Sequence, residues 1–274
     1  MGKMKEPNFR ARQLGRTLRR LRKQAGLDQT DVADRMRCNP SNISRREAGQ
    51  VPDYPELQML LDIYGVIVSD WDEYIRIWER ALEKGRWHAY GLGDRGFISL
   101  EAEAYQLGYI PGLLQTAAYM RAGFTEARRP MKGEDLEIAI VVRQQRQRRL
   151  TEESVLRLHA VIDESVLLRP ILAREERKAQ LGQIIEYSGL PSVTVQVLPL
   201  SCGAHSGRTG SFTILSYAEP EEPDIAYIEH GFGSLQIEKA DEVALARLVF
   251  DHFADIALDE QNSIALIERM VADV

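Results

Sequence analysis

Residues 14–49 read LGRTLRRLRKQAGLDQTDVADRMRCNPSNISRREAG, and their periodicity decides the architecture of the first part of the chain. Leu14, Leu18, Leu21 and Ala25 recur at helical spacing as one apolar stripe, while Arg12, Arg16, Arg19, Arg20 and Arg22 mostly take the other faces. Gly26 closes this helix. Asp28 caps a second helix with Val32, Ala33 and Met36 turned inward. Asp31 stands in its first turn, where the helix dipole favours an acid. After Arg37-Cys38, Asn39 caps a third helix that opens with Pro40, is anchored by Ile43 and ends before Gly49.

Working outward, a fourth helix starts at Pro55, with Leu57, Leu60, Leu61 and Tyr64 on one face, and stops at Gly65. Ser69 is expected to cap a fifth, in which Trp71, Tyr74, Ile75, Trp78 and Leu82 repeat at helical spacing. Two helices joined by a tight turn, the second short and opening with small polar residues, form a helix-turn-helix. Its second helix needs a buried anchor, here Ile43, so that exposed residues reach base edges in a major groove. Ser41, Asn42, Ser44 and Arg45 are the candidates for that contact, and Arg45 has the fork to grip a guanine. Pro40 offers an apolar surface to a thymine methyl. Gln29, with Thr30 beside it, is placed for a phosphate bond, and Arg16, Arg19 and Arg46 add sequence-independent attraction.

The charge distribution agrees. The chain of 274 residues carries a net charge of −6, yet residues 1–50 hold 13 Lys/Arg against 5 Asp/Glu, a balance of +8. The remainder holds 22 against 36, a balance of −14. A short basic head on a long acidic body points to a polyanion for the head and another task for the body. With 44% hydrophobic and 28% charged residues, a disordered chain is excluded. No apolar run approaches the roughly 20 residues of a membrane helix, and the first residues lack the apolar core of a secretory signal. The two cysteines, Cys38 and Cys202, are too far apart for a ligand cluster or disulfide framework. These features give the expectation of a cytoplasmic protein without a membrane.

Gly85, Gly91, Gly93 and Gly96 mark a loose segment. The expected layout is a five-helix head over 1–85, a linker over 86–98 and an α+β body over 99–274. In the body, helical patterns fall around 113–123, 134–149, 172–188, 239–257 and 260–272. Alternating β-branched runs fall at 155–162, 193–198, 211–217 and 225–230. The last three follow one another through Gly- or Pro-containing turns and predict a small antiparallel meander packed under helices.

At the residues quoted above the head resembles the xenobiotic-response-element (Cro-repressor-like) helix-turn-helix family. Its glutamine matches Gln29, its S-x-x-S-R step Ser41, Ser44 and Arg45, and its E-x-G ending Glu47 and Gly49. Two positions depart. Arg37 stands where the family carries Gly, so the turn is expected to differ, because a left-handed arginine costs about 1–2 kcal/mol. Arg46 replaces an apolar residue and is expected either to add a phosphate contact or to loosen packing. The body strings FISLEAEA, YIPGLLQTAAYMRAGF, VRQQRQ, VIDESVL and QLGQIIEYSGLPSVTVQVLPLSCGAHSGRTGSFTILSY resemble the uncharacterised C-terminal domain of actinobacterial, antitoxin-like regulators of the WhiJ type. Pro111–Thr116 and Val195–Pro199 carry most of that likeness, which runs from about residue 12 to about residue 270. It implies a DNA-binding regulator, often paired with a small partner protein.

Several features of the body invite other chemistry. The loop Cys202–Gly210 is glycine-rich, but lacks the glycine spacing and lysine of a phosphate-binding loop. It is read as a hairpin connection whose His205 and Arg208 are candidate ligand contacts. Cys202 with His205 lacks a recognisable oxyanion device, so catalysis is not expected. His88, His159, His205, His230 and His252 show no metal-ligand spacing, and no cofactor is expected. Asp163 and Glu164 fit a helix N-terminus. Arg143, Arg146, Arg148 and Arg149 form the body's basic cluster. It is a solvated face paired with acids such as Glu152 and Glu153, a socket for an anionic ligand or acidic partner, or, as a third reading, an auxiliary DNA contact. Gln115, Arg143, Arg146 and Arg149 are candidate contacts for a ligand or partner.

Leu245, Leu248, Val249, Phe253 and Ile256, then Ile264, Ile267 and Met270, form stripes that suit either core or a dimer interface. The expectation is a homodimer on double-stranded DNA whose body senses a small molecule or a partner protein. Its rivals are an antitoxin-like interaction module that controls its own operon, and an enzyme fused to a DNA-targeting head.

Overall fold

The computed structural model describes residues 9–82, 101–126, 130–151, 155–217, 223–230 and 233–274. The chain divides into two compact units, Met1–Ala89 and Tyr90–Val274. The expected linker, its glycines and His88 lie outside the described residues, as do Glu152 and Glu153.

The first unit contains α1 (Phe9–Gln24), α2 (Gln29–Arg35), α3 (Pro40–Glu47), α4 (Tyr54–Ile63) and α5 (Trp71–Leu82). Its core is built from Leu14 and Leu18 of α1, Val32 and Ala33 of α2, Ile43 of α3, and Leu57, Leu60 and Leu61 of α4. The apolar stripe of α1 includes Ala11 and Leu21 but not Ala25, which is exposed. Ser69 does not cap α5. A short 3-10 turn, Val68–Asp70, precedes the helix and has no side-chain cap. Trp71 and Trp78 instead fix α5 by donating their indole N–H to the carbonyls of Val66 and Pro52, at 2.9 and 2.8 Å.

The second unit is α+β, and its sheet is larger than the small antiparallel one expected. Six strands, β1 (Glu101–Gln106), β2 (Arg157–Asp163), β3 (Val193–Leu198), β4 (Phe212–Ser216), β5 (Ile225–His230) and β6 (Gly233–Ile237), lie in the order β3-β2-β1-β4-β5-β6. β1 pairs with β2, and β2 with β3, in parallel, whereas β1–β4, β4–β5 and β5–β6 are antiparallel. The meander is therefore β4-β5-β6. The 193–198 strand does not neighbour β4, so the Cys202–Gly210 segment is a crossover between non-adjacent strands rather than a hairpin.

Period-two alternation divides the side chains between two layers. On one face Ala102, Ala104, Leu158, Ala160, Val195 and Leu215 join residues of α6 (Ala117–Thr125), α9 (Arg174–Ser188) and α11 (Glu260–Asp273). On the other, Tyr105, Val161, Leu198 and Ile214 meet Val243, Phe250 and Phe253 of α10 (Ala240–Ile256). Among the described residues the unit also contains α7 (Gly133–Gln147) and the short α8 (Glu164–Leu168). As expected, Asp163 caps α8, its carboxylate accepting from the Ser165 N–H at 3.0 Å.

Candidate functional site

In the first unit, α2 and α3 are set by their caps. Asp28 accepts from the N–H groups of Thr30 and Asp31, and Asp31 reciprocates to the Asp28 N–H at 2.8 Å. Asn39 accepts from Ser41 N–H at 2.9 Å with Pro40 at the first helical position. Between them Arg37 adopts φ 52°, so the turn takes the left-handed form despite its arginine. Ile43 is wholly buried, while Pro40, Ser41, Ser44 and Arg45 are exposed and Asn42 is half-buried. Arg45 lies back along its own helix, donating to the Ser41 carbonyl at 3.3 Å and to the Asn42 side chain. Thr30 is exposed at the start of α2.

Glu47 holds this arrangement, a role that its place in the E-x-G ending did not disclose. Its side chain is 6% exposed and accepts from Arg22 Nε at 2.5 Å, Arg22 Nη2 at 3.1 Å and Gln29 Nε2 at 2.8 Å. One carboxylate thus ties the ends of α1 and α3 to the start of α2. Hydrogen bonding to Glu47 raises the Arg22 pKa further above its usual value. Gly15 permits the approach: a Cβ there would fall 2.5 Å from the Glu47 carbonyl oxygen. Two expectations change. Arg22 is buried rather than on a solvated face, and the Gln29 amide expected at a phosphate is engaged by Glu47. Arg46 is likewise engaged, its fork held by Glu56 at 2.8 and 2.6 Å and by the Val51 carbonyl at 3.2 Å. It neither loosens the packing nor stands ready for a phosphate.

In the second unit the candidate ligand residues separate onto opposite faces of the sheet. Arg143 and Arg146, three residues apart on α7, line a cavity of about 100 Å³ whose floor includes Ala102, Ala104, Thr213 and Leu215, with Tyr227 and Glu229 from β5. The register explains the hollow: Ala104 pairs with Ala160 on one side and Thr213 on the other, and Thr213 with Tyr227. Small side chains follow one another across the sheet. Gln115 is buried and positions Arg143, accepting from Nη1 at 2.8 Å while donating to the Ile110 carbonyl at 2.6 Å. The Arg143 guanidinium also lies 4.5 Å from the Phe124 ring centre. Gln147 and Gln180 hold the same Pro111–Thr116 loop through the carbonyls of Gln115 and Leu114, at 2.6 and 2.8 Å. Burial lowers the pKa of both arginines. That of Arg146 is pushed down to about 10, with the like charge of Arg143 contributing and Glu229 opposing. Arg149 is half-buried and does not line this cavity.

His205 belongs to the other face. Its side chain is 5% exposed, 3.8 Å from the Asp163 carboxylate, with its ring edge-on to Tyr105 and Phe253. Tyr105 Oη and His205 Nδ1 are buried and have no hydrogen-bond partner among the described residues. The imidazole is therefore enclosed rather than offered by the loop, whereas Arg208 is exposed. Burial, then the Asp163 charge, pushes the Cys202 thiol pKa up, opposite to the activation of a nucleophilic cysteine. No group of three or more His, Cys, Asp or Glu suited to a metal occurs among the described residues. No described helix is long and apolar enough to cross a membrane.

Residues 13–71 match the family model described as a helix-turn-helix domain. Together with the capped α2–turn–α3 geometry, this defines the class: a DNA-binding regulator with a helix-turn-helix head. Residues 97–269 match the model described as a domain of unknown function, DUF5753, and the chain belongs to that family. No curated protein and no solved structure matches the chain.

Proposed function

We propose that the chain is a sequence-specific transcriptional regulator of the xenobiotic-response-element type, acting in the cytoplasm as a homodimer. The observation that carries this reading is the outer face of α3, where Pro40, Ser41, Ser44 and Arg45 are exposed on a helix anchored by Ile43 and clamped by Glu47. That face enters a major groove, with Asn42 and Arg45 exchanging their mutual hydrogen bond for base edges. Thr30 and the amide of Gln29 lie at the phosphate side, Gln29 after release from Glu47. In a dimer two such helices stand about 34 Å apart, in successive grooves. Leu245 and Leu248, 59% and 66% exposed on α10, support a surface where a second copy docks.

The body's role is sensing rather than catalysis, since its one cysteine–histidine loop encloses the imidazole. Occupancy of the body by a small molecule or a partner protein changes the freedom of the heads and hence operator affinity. The likeness to antitoxin-like regulators favours a small protein encoded nearby as one such partner. Selection from a random duplex pool by the full-length protein, at roughly physiological salt where non-specific binding is weak, tests the reading. It should enrich an inverted repeat with half-sites about one helical turn apart. Enrichment of nothing, with or without cell extract, refutes it.

A further inference from the structure

We infer that the open edge of the sheet, β6, pairs antiparallel with β6 of a second copy, joining two six-stranded sheets into one. The inference rests on the homodimer proposed above and gives it a contact and a register. The two edges of the sheet are finished differently. At β3 the chain seals its own edge: the Leu258 N–H donates to the Val197 carbonyl and the Val197 N–H donates to the Ser263 hydroxyl, each at 2.9 Å. Gln196 adds bonds to the carbonyls of Ala254 and Leu258 at 3.1 and 3.0 Å. Beyond β6 no strand follows among the described residues. An antiparallel ladder turns the N–H and C=O of every second residue away from its neighbour, so at β6 these groups meet either water or another strand.

The strand is regular and carries nothing that opposes pairing. It matches β5 residue for residue, from Gly233 opposite His230 to Ile237 opposite Ala226, without a bulge. Its sequence GSLQI holds no charge and no proline, although lysine, proline and bulges are the devices that keep exposed edges apart. A second copy is the occupant this strand fits. Turned antiparallel about Leu235, it sets Leu235 against its own twin, Ser234 against Gln236 and Gly233 against Ile237. No like charges meet, and Leu235, 50% exposed in one chain, gains an apolar cross-strand partner. Leu235 shares a face with Ile237, which packs with Ala226 in the layer under α10. The two-fold axis of such a pair stands perpendicular to the sheet, so both α10 helices come to one face of the joined sheet. The exposed Leu245 and Leu248 then belong to the same layer as the seam.

A residue on the two-fold axis faces itself, so Leu235→Cys in the full-length chain, combined with Cys38→Ala and Cys202→Ala, tests the register directly. Opposed residues of an antiparallel pair stand about 4.5–5.5 Å apart between Cα atoms, within reach of a disulfide. Mild oxidation should link the Leu235→Cys chain into a covalent dimer. Gln236→Cys in the same background faces the partner's Ser234 instead and should stay unlinked. Leu235→Lys sets two ammonium groups face to face, and its dimer should sediment as dissociating about tenfold or more readily than wild type. Leu235→Thr, uncharged and suited to a strand, should stay dimeric, so lost pairing is not lost folding. A dimeric wild type with no link through position 235, or a Leu235→Lys variant as dimeric as wild type, overturns the inference and leaves the homodimer to α10. Equal linking at 235 and 236 overturns the register. A wild type that sediments as a monomer at every concentration overturns the homodimer together with its seam.

Discussion

Arg37 and Arg45 lie eight positions apart on the same motif and meet opposite demands. Arg37 holds φ 52°, a conformation that costs a residue with a Cβ about 1–2 kcal/mol. Arg37→Gly removes that strain but frees the unfolded chain, which returns about 0.4–1 kcal/mol. The first unit should therefore gain roughly 0.5–1 kcal/mol, read as a higher urea midpoint, and an unchanged or lower midpoint would show the arginine to be unstrained. Arg45 is exposed, and its hydrogen bonds among the described residues run to Ser41 and Asn42 of its own helix. Arg45→Ala should cost about 1–3 kcal/mol of operator binding and relax one base position if the fork grips guanine. A uniform loss over all sequences would make it a phosphate contact. The sequence disclosed the exposure of Arg45 through the burial of Ile43 two positions before it. It could not disclose that Arg46 is held by Glu56, because that pair joins α3 to α4 across a distance no local pattern reports.

Strand periodicity disclosed four of the six strands, and the two missed ones fail for different reasons. β1 reads EAEAYQ, rich in helix formers. It is a strand because it is paired along both edges, to β2 and to β4, at the centre of the sheet. β6 reads GSLQI and is mostly exposed at the sheet edge, so it buries no stripe that alternation could reveal. Strand order was illegible for a simpler reason: β1, β2 and β3 pair in parallel across long crossovers, and pairing of that kind leaves no trace in neighbouring residues. The crossover after β3 is packed rather than loose. At Gly207 a Cβ would fall 2.5 Å from Tyr105 Oη and 2.9 Å from His205 Nδ1. Tyr105 is fully buried and packed against Phe253 with the rings tilted, 4.5 Å between ring centres, so it has little room to retreat. Gly207→Ala should destabilise the second unit by about 1–3 kcal/mol and leave the unfolding of the first unit untouched. Two unfolding probes, one per unit, would separate these effects, and unaltered stability would mean that the loop shifts without cost.

For the whole molecule, the basic excess of residues 1–50 and the acidic excess of the rest do not divide where the two units do, at Ala89, and the charge split said nothing of where copies of the chain meet. The stripe read on the last two helices resolves into core and surface. Phe253, Ile267 and Met270 are buried, while Leu245 and Leu248 are exposed. If copies pair through α10, Leu245→Glu/Leu248→Glu should sediment as a monomer and bind an inverted-repeat operator about a hundredfold more weakly, the avidity lost with the second head. Retention of the dimer would place the interface elsewhere. The position of β1 has a mechanical side. Among the described residues it is the first strand of the second unit and lies third across its sheet, with six residue pairs to β2 and five to β4. Tension applied to the backbone at Glu101 must shear two ladders together instead of unzipping one. An unfolding motor that pulls from the amino side is therefore braked at this strand. One that pulls from the carboxyl side first peels away α11, which is fastened by side-chain packing and a few bonds, and meets the sheet only afterwards.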